Sequence, residues 1–190
     1  MKIATSNDKQ LVVEILTKSF INNKSVNYII PQNELKTYSI YKLMAYSFEV
    51  CSICGKVVLS DDGKACALIL YPEQKKRTLK FFWLDLKLLL TSVGIQNARK
   101  ALTRKKKINA AQPKLRMAYL WFIGVDPKYQ KFGLGKKLME EIIINTMQDN
   151  RPIYLETSTI ENLPWYKKFG FEVYDELILD YTLYFLKRSL

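Results

Sequence analysis

The sequence predicts an α/β protein, a sandwich of three layers with strands covered by helices. Three observations predict it. Apolar residues recur at helical spacing in some segments and gather into short β-rich runs in others. The two kinds follow one another as β-α-α-β-β, a helical insert, then β-α-β-α-β-β, an order that places helices against a sheet. The 190 residues, 48% hydrophobic and 25% charged, are enough for one packed core. No linker divides them, so a single domain over residues 1–190 is expected.

Each element has its own signal. Residues 2–5 form a short strand. Ser6, Asn7 and Asp8 then offer capping side chains to a helix carrying Leu11, Val12, Ile15, Leu16 and Phe20 on one face. Residues 22–31 read as loop. A second helix over 34–54 repeats Leu35, Tyr38, Tyr41, Met44, Ala45 and Phe48. KVVLSDDGKACALILYP, from Lys56, is a hairpin, because Asp-Gly between two β-rich runs favours a tight turn. Residues 75–112 carry helical patterning and end at Pro113. LRMAYLWFIGV, 115–125, is apolar enough for a strand buried on both faces. A helix over 135–148 follows, with Leu138, Met139, Ile142 and Ile143 as its core stripe. Residues 153–158 form another strand and 162–169 a short helix closed by Gly170. Two strands, 171–173 and 177–186, complete the chain.

Composition removes several chemistries. Histidine is absent, which excludes Ser-His-Asp and Cys-His nucleophile systems and the zinc sites that need imidazole. Cys51 and Cys54 form a CxxC without a second pair, so no metal site is expected and the three cysteines read as ordinary thiols. Phe81 to Thr91 is the most apolar run, yet Asp85 and Lys87 interrupt it and it is too short to span a bilayer. No membrane partner is expected, and with no signal-peptide pattern the expected location is the cytoplasm. Net charge is +12. Residues 75–107 concentrate it: Lys75, Lys76, Arg77, Lys80, Lys87, Arg99, Lys100, Arg104, Lys105, Lys106 and Lys107 stand against Asp85 alone. Such a segment suits an anionic partner or a solvated helical face.

The stretch VDPKYQKFGLGKKLMEEI, from Val125, carries the most specific chemistry. Gly133 and Gly135 lack a Cβ, so a ligand can approach the backbone closely just where a helix begins. Amide N–H groups exposed there, with the positive end of the helix dipole, suit a phosphate or pyrophosphate. Lys128, Lys131, Lys136 and Lys137 add positive charge. The spacing is neither that of a P-loop nor that of a dinucleotide fingerprint.

FIGVDPKYQKFGLGKKLM resembles the acetyl-coenzyme A motif of the GCN5-related N-acetyltransferase (GNAT) superfamily, Q/R-x-x-G-x-G/A, and NLPWYKKFGF resembles its carboxy-terminal motif. LETS…ENLPWY…GF is most similar to the puromycin N-acetyltransferase-like branch. The resemblance is strong over 117–173 and rests on element order over 1–112. It implies a mixed, mostly antiparallel seven-stranded sheet with acetyl-coenzyme A wedged between splayed strands, and a helical insert before the fourth strand.

The resemblance also implies site residues. Main-chain groups of Phe122, Ile123 and Val125 would pair with the pantetheine arm, and a Val125 N–H would hold the oxyanion. The loop Gln130, Lys131, Phe132, Gly133, Leu134, Gly135 and Lys136 would hold the pyrophosphate. Tyr166 would protonate the departing thiolate, and Asn162 would bond the cofactor arm or cap the short helix. Many relatives place a glutamate on the strand before the loop; 115–125 contains no acid. Glu156, on the next strand, is the candidate base, and Asp126 is expected to cap a turn. The implied activity is acetyl transfer to a primary amine by direct attack on the thioester. Like charges argue against a polycationic acceptor, so a small neutral, amphiphilic or anion-bearing amine is expected, with Tyr28, Tyr38, Tyr41, Trp83 and Trp121 as candidate pocket aromatics. Nucleic acid is not the expected partner, though a non-catalytic module that binds nucleic acid or senses acyl-coenzyme A is the alternative. Oligomeric state stays open, a homodimer included.

Overall fold

The computed structural model describes residues 1–75 and 78–190, and the backbone alone of Ile95. Lys76 and Arg77, part of the basic run, lie outside the described residues. Seven strands form one sheet in the order β1-β2-β3-β4-β5-β7-β6. They are β1 (Lys2–Ile3), β2 (Gly55–Leu59), β3 (Ala65–Leu70), β4 (Ala118–Val125), β5 (Ile153–Thr157), β6 (Glu172–Ile178) and β7 (Thr182–Arg188). All neighbours are antiparallel except β4 and β5. That exception has a simple cause. The helix α6 (Leu134–Gln148) separates β4 from β5 in sequence and returns the chain to the same end of the sheet.

Helices cover both faces. On one lie α1 (Lys9–Phe20) and α3 (Lys36–Cys54), whose Val12, Ile15, Leu16, Ile40, Met44 and Phe48 pack on Val57, Leu59, Cys66, Leu68 and Phe122. On the other, Leu138, Met139 and Ile142 of α6 pack on Val58, Ala67, Leu120, Ile153 and Leu155, alternate residues of the same strands. The short α7 (Leu163–Lys167) lies on this second face, Tyr166 packing beside Phe171.

The basic segment is a helical insert. α4 (Leu79–Leu88) runs through one π-helical turn, Leu89–Val93, into α5 (Gly94–Ala111). α5 packs Ile108 against Leu183 and Phe185 of β7. Lys100 bonds Asp180 and lies 3.8 Å over the Tyr28 ring, while Arg104 donates to Tyr181 Oη and Ser25 Oγ. Part of the basic excess thus fastens the insert to the sheet.

Two expectations needed correction. Residues 22–31 contain the short helix α2 (Lys24–Asn27), where Asn23 Oδ1 accepts from Val26 N–H; one turn is too short for a periodic signal. The first closing strand is longer than expected, the second shorter, and they are divided elsewhere. β6 runs through Tyr174, Asp175 and Glu176, and the turn falls at 179–181, within the expected second strand. β6 is a sheet edge whose outward residues face water, so its polarity resembled a loop. The Asp61-Asp62-Gly63 hairpin holds with a five-residue connection, Gly63 at φ +69°. Among the described residues no helix is long and apolar enough to cross a membrane.

Candidate active site

The site forms where β4 and β5 part. Their parallel pairing covers only Ala118, Tyr119 and Leu120 of β4. β4 continues to Val125, so its second half leaves β5 and a gap opens. β4 also skips Trp121 in its pairing with β3, since Leu68 faces Phe122 and Ile69 faces Leu120. Such a bulge bends the strand and increases its twist.

Register then decides which main-chain groups face the gap. Asp126 N–H bonds Lys64 C=O, so hydrogen-bonded pairs alternate back along the strand as Gly124 with Cys66 and Phe122 with Leu68. Ile123 and Val125 therefore direct their N–H groups away from β3, into the gap. Phe122 does not: its main chain is taken by β3, which removes it from the expected contacts to a cofactor arm. Its side chain packs instead edge to face with Phe20, centroids 5.0 Å apart. The Val125 C=O accepts from Ser19 Oγ at 2.8 Å and Gln130 Nε2 at 3.3 Å, holding strand and loop together.

The glycine loop lies at the end of this gap. Asp126 accepts from Lys128 N–H and caps a short 3₁₀ turn, Pro127–Tyr129, as expected. Lys131 and Gly133 both take positive φ, +69° and +80°. Gly133 caps α6 with no side chain, and a Cβ placed on it would meet nothing within 4 Å. Among the described residues, the amides of Lys131, Phe132, Gly133, Leu134, Gly135 and Lys136 donate to no protein acceptor; the first helical bond is Lys137 N–H to Gly133 C=O. Their orientation with the helix dipole makes an anion cradle. Gly135 is helical, so its need is space: a Cβ there would touch Val125 Cγ2 at 3.4 Å. This donor set fits a diphosphate of an acyl-coenzyme A, and the gap between the strands fits its arm.

The gap opens into a cavity of about 780 Å³ between the sheet and the insert. Asn162, Tyr166, Glu156, Tyr119, Trp121 and Ile123 line it together. Tyr166 is buried at 6% exposure, and burial pushes its phenol well above the usual range. Its hydroxyl has no bonded partner among the described residues. Asn162 makes no side-chain cap on α7 and so is available to the cavity. Glu156 accepts from Gln112 Nε2 at 2.9 Å, and desolvation raises its pKa against the opposing pull of Arg104, Gln112 and Tyr119.

The insert supplies the other wall. Tyr46 Oη donates to Asp85, and Lys105 stands 3.5 Å from the same carboxylate, joining α3, α4 and α5. Lys75 Nζ sits 5.3 Å over the Phe81 ring, its pKa lowered chiefly by burial. Of the expected aromatics only Trp121 lines the cavity; Tyr28, Tyr38, Tyr41 and Trp83 do not, and Tyr38 and Trp83 are more than half exposed. Phe20, Tyr46, Phe81, Phe82 and Tyr119 take their place. Only Tyr119 had a sequence signal, lying two strand residues from Trp121 on the same face. Tyr46 and Asp85 are brought together across 39 residues, a separation no local pattern spans.

Comparison with known proteins agrees with this geometry. Residues 97–173 match the model of the acetyltransferase (GNAT) domain. An N-acetyltransferase of Schizosaccharomyces pombe described as uncharacterised is 45% identical over 60 residues, 32% of this chain and 24% of that protein. The chain thus matches about a quarter of that relative's length. A Corynebacterium glutamicum structure described as histone acetyltransferase HPA2 and related acetyltransferase superposes with a TM-score of 0.69 at 18% identity, over 100% of this chain and 95% of that one. Arylalkylamine N-acetyltransferase 2 of Aedes aegypti superposes at 0.62 with 16% identity, over 99% and 97%. At such identities the two structures show a shared fold. Residues 97–173 thus carry the sequence pattern of an acetyltransferase (GNAT) domain, and the whole chain shares its fold with solved acetyltransferase structures. No finding singles out the puromycin N-acetyltransferase-like branch.

Proposed function

We propose that this chain, residues 1–190 acting as one domain, is an acetyl-coenzyme A-dependent N-acetyltransferase for a small primary amine with an apolar body. One observation carries the reading: six consecutive amides without protein partners among the described residues adjoin a strand gap that leads to Tyr166 and Glu156 in one cavity. The amides of Lys131 to Lys136 hold the diphosphate, and the N–H of Ile123 holds the arm. Asn162 bonds the arm rather than capping α7. Acetyl-coenzyme A supplies, when bound, an acyl group activated as a thioester.

The chain's own groups manage protons. An alkylammonium has a pKa near 10 and must lose a proton before it can attack. Glu156, half-buried and raised in pKa, accepts that proton directly or through water. Tyr166 stays protonated across the neutral range and holds a proton at its hydroxyl for a leaving thiolate. The Val125 N–H, pointing into the gap, stabilises the oxyanion. A cavity walled on one side by α4 and α5 and rich in aromatic side chains favours a compact amine over a long polypeptide.

Two measurements test this. Acetyl-coenzyme A at a hundred times its dissociation constant should stabilise the fold by about 2.7 kcal/mol, read as a rise in melting temperature. Thiol release over a panel of small arylalkyl and alkyl amines should exceed release with peptide amines. No thermal shift would sink both the enzyme and the sensor readings. A shift without turnover on any amine would favour the sensor.

A further inference from the structure

Helix α4 carries apolar side chains on two opposite sides, with Lys80 and Lys87 along one flank between them and Asp85 along the other. Its inner face, Phe81 with half-buried Leu84 and Leu88, packs on Tyr46, Val50 and Cys54. Its outer face is largely exposed. Leu79, Phe82 and Trp83 are 79%, 61% and 64% exposed, and Leu90 just beyond is 63% exposed. At about 100° per residue, positions 79, 82, 83 and 86 fall in one stripe along the helix. Lys80 and Lys87, both exposed and seven residues apart, border that stripe on the Trp83 side.

Helix α5 extends the pattern. Lys100, Arg104 and Lys105 are held by Asp180, by Ser25 and Tyr181, and by Asp85. Arg99, Lys106 and Lys107 remain exposed, beside exposed Leu102. Phe82 and Leu102 line the cavity and reach solvent, so the cavity mouth opens between the two helices, next to the apolar stripe.

A contiguous exposed patch of Leu, Phe and Trp marks a surface that something covers. A second copy would bring the same basic rim against itself, on a chain of net charge +12. Nucleic acid would meet the lysines and leave Leu79 and Leu90 in water. An anionic bilayer meets both needs: aromatic and aliphatic side chains enter the interface while lysines and arginines meet acidic headgroups. We infer that the outer face of α4, with the basic rim of α4 and α5, docks on the surface of an anionic lipid bilayer and brings the cavity mouth to it. The sequence argued against a membrane partner because no segment spans one; a helix lying on the surface needs no span.

Co-sedimentation with vesicles tests this without reference to acetyl transfer. The protein should bind phosphatidylcholine vesicles containing phosphatidylserine about tenfold more tightly than phosphatidylcholine alone, and less tightly at high salt. The double variant Leu79→Ser, Trp83→Ser should keep its melting temperature and lose about tenfold or more of that binding. Lys80→Glu with Lys87→Glu should weaken it by roughly fivefold for each charge removed. The inference is overturned if mixed vesicles are not bound, or if both variants bind them as well as the parent. A dimer that Leu79→Ser, Trp83→Ser dissolves would overturn it in favour of a second copy. Oligonucleotide binding that outcompetes the vesicles would overturn it in favour of nucleic acid.

Discussion

Tyr166, from α7, and Glu156, from β5, line one cavity. Replacing Tyr166 with Phe keeps the buried ring and removes the proton, so kcat should fall about a hundredfold with little change in KM. Unchanged kcat in steady-state assays would remove Tyr166 from the chemistry. As the proposed base Glu156 would act only when ionised, and desolvation raises the pH at which that happens. The acid limb of kcat/KM should lie above the ordinary carboxylate range, with activity lost as pH falls through it. Glu156→Gln should abolish that limb together with most of the rate; a surviving limb would assign it to another group. Gly133, at φ +80°, is different again. Gly133→Val should cost about 1–3 kcal/mol of stability from backbone strain alone. It should also weaken acetyl-coenzyme A binding in calorimetry, because the cradle's amides turn with it.

Elements are held apart or together by contacts of the same few kinds. The β3–β4 bulge at Trp121 and the three-residue pairing of β4 with β5 create the gap, while α6 fills the face behind it. At the far end of the sheet, β2 and β3 approach very closely: a Cβ on Gly55 would sit 2.0 Å from Ile69 C=O. Gly55→Ala should therefore destabilise by about 3 kcal/mol in urea titration, since a main-chain neighbour cannot move aside cheaply. Neutral behaviour would mean the helix-to-strand junction after α3 is free to shift. Cys51 and Cys54, at the end of α3, are both buried, their thiol pKa values raised chiefly by burial. The CxxC spacing reflects a helix packing its last turn.

Charge acts on the whole molecule. The chain carries +12 at neutral pH, and protonation of its carboxylates in acid adds to that self-repulsion. Specific groups set the window. Lys2 and the Thr5 N–H and hydroxyl lower Asp8 from 3.8 to about 2. Lys56 lowers Asp149, and Lys128 N–H lowers Asp126. A carboxylate with a lowered folded pKa stabilises above its unfolded value and loses that contribution as pH falls. Melting temperature should therefore drop steeply below about pH 4, and less steeply in high salt, where repulsion is screened. A flat profile between pH 4 and about 2 would show that these pairs contribute nothing.

By itself the sequence determined the order of elements, the glycine turn at the start of α6 and the motif around Tyr166. These depend on local dihedral preference, side-chain period and spacing, which neighbours in sequence carry among themselves. The helical insert was legible for the same reason, but its partners were not. Only the tertiary structure decided that Phe122 turns its main chain to β3 while Ile123 and Val125 face the gap, because register is a property of two strands. It alone brought Glu156 to Gln112, Tyr46 to Asp85 and Arg104 to Tyr181, contacts between residues 39 to 77 positions apart. It also left Leu79 and Trp83 in solvent and Phe81 in the core. Apolar residues stand on both the inner and the outer side of α4, so their spacing does not say which side turns inward; packing against α3 chooses.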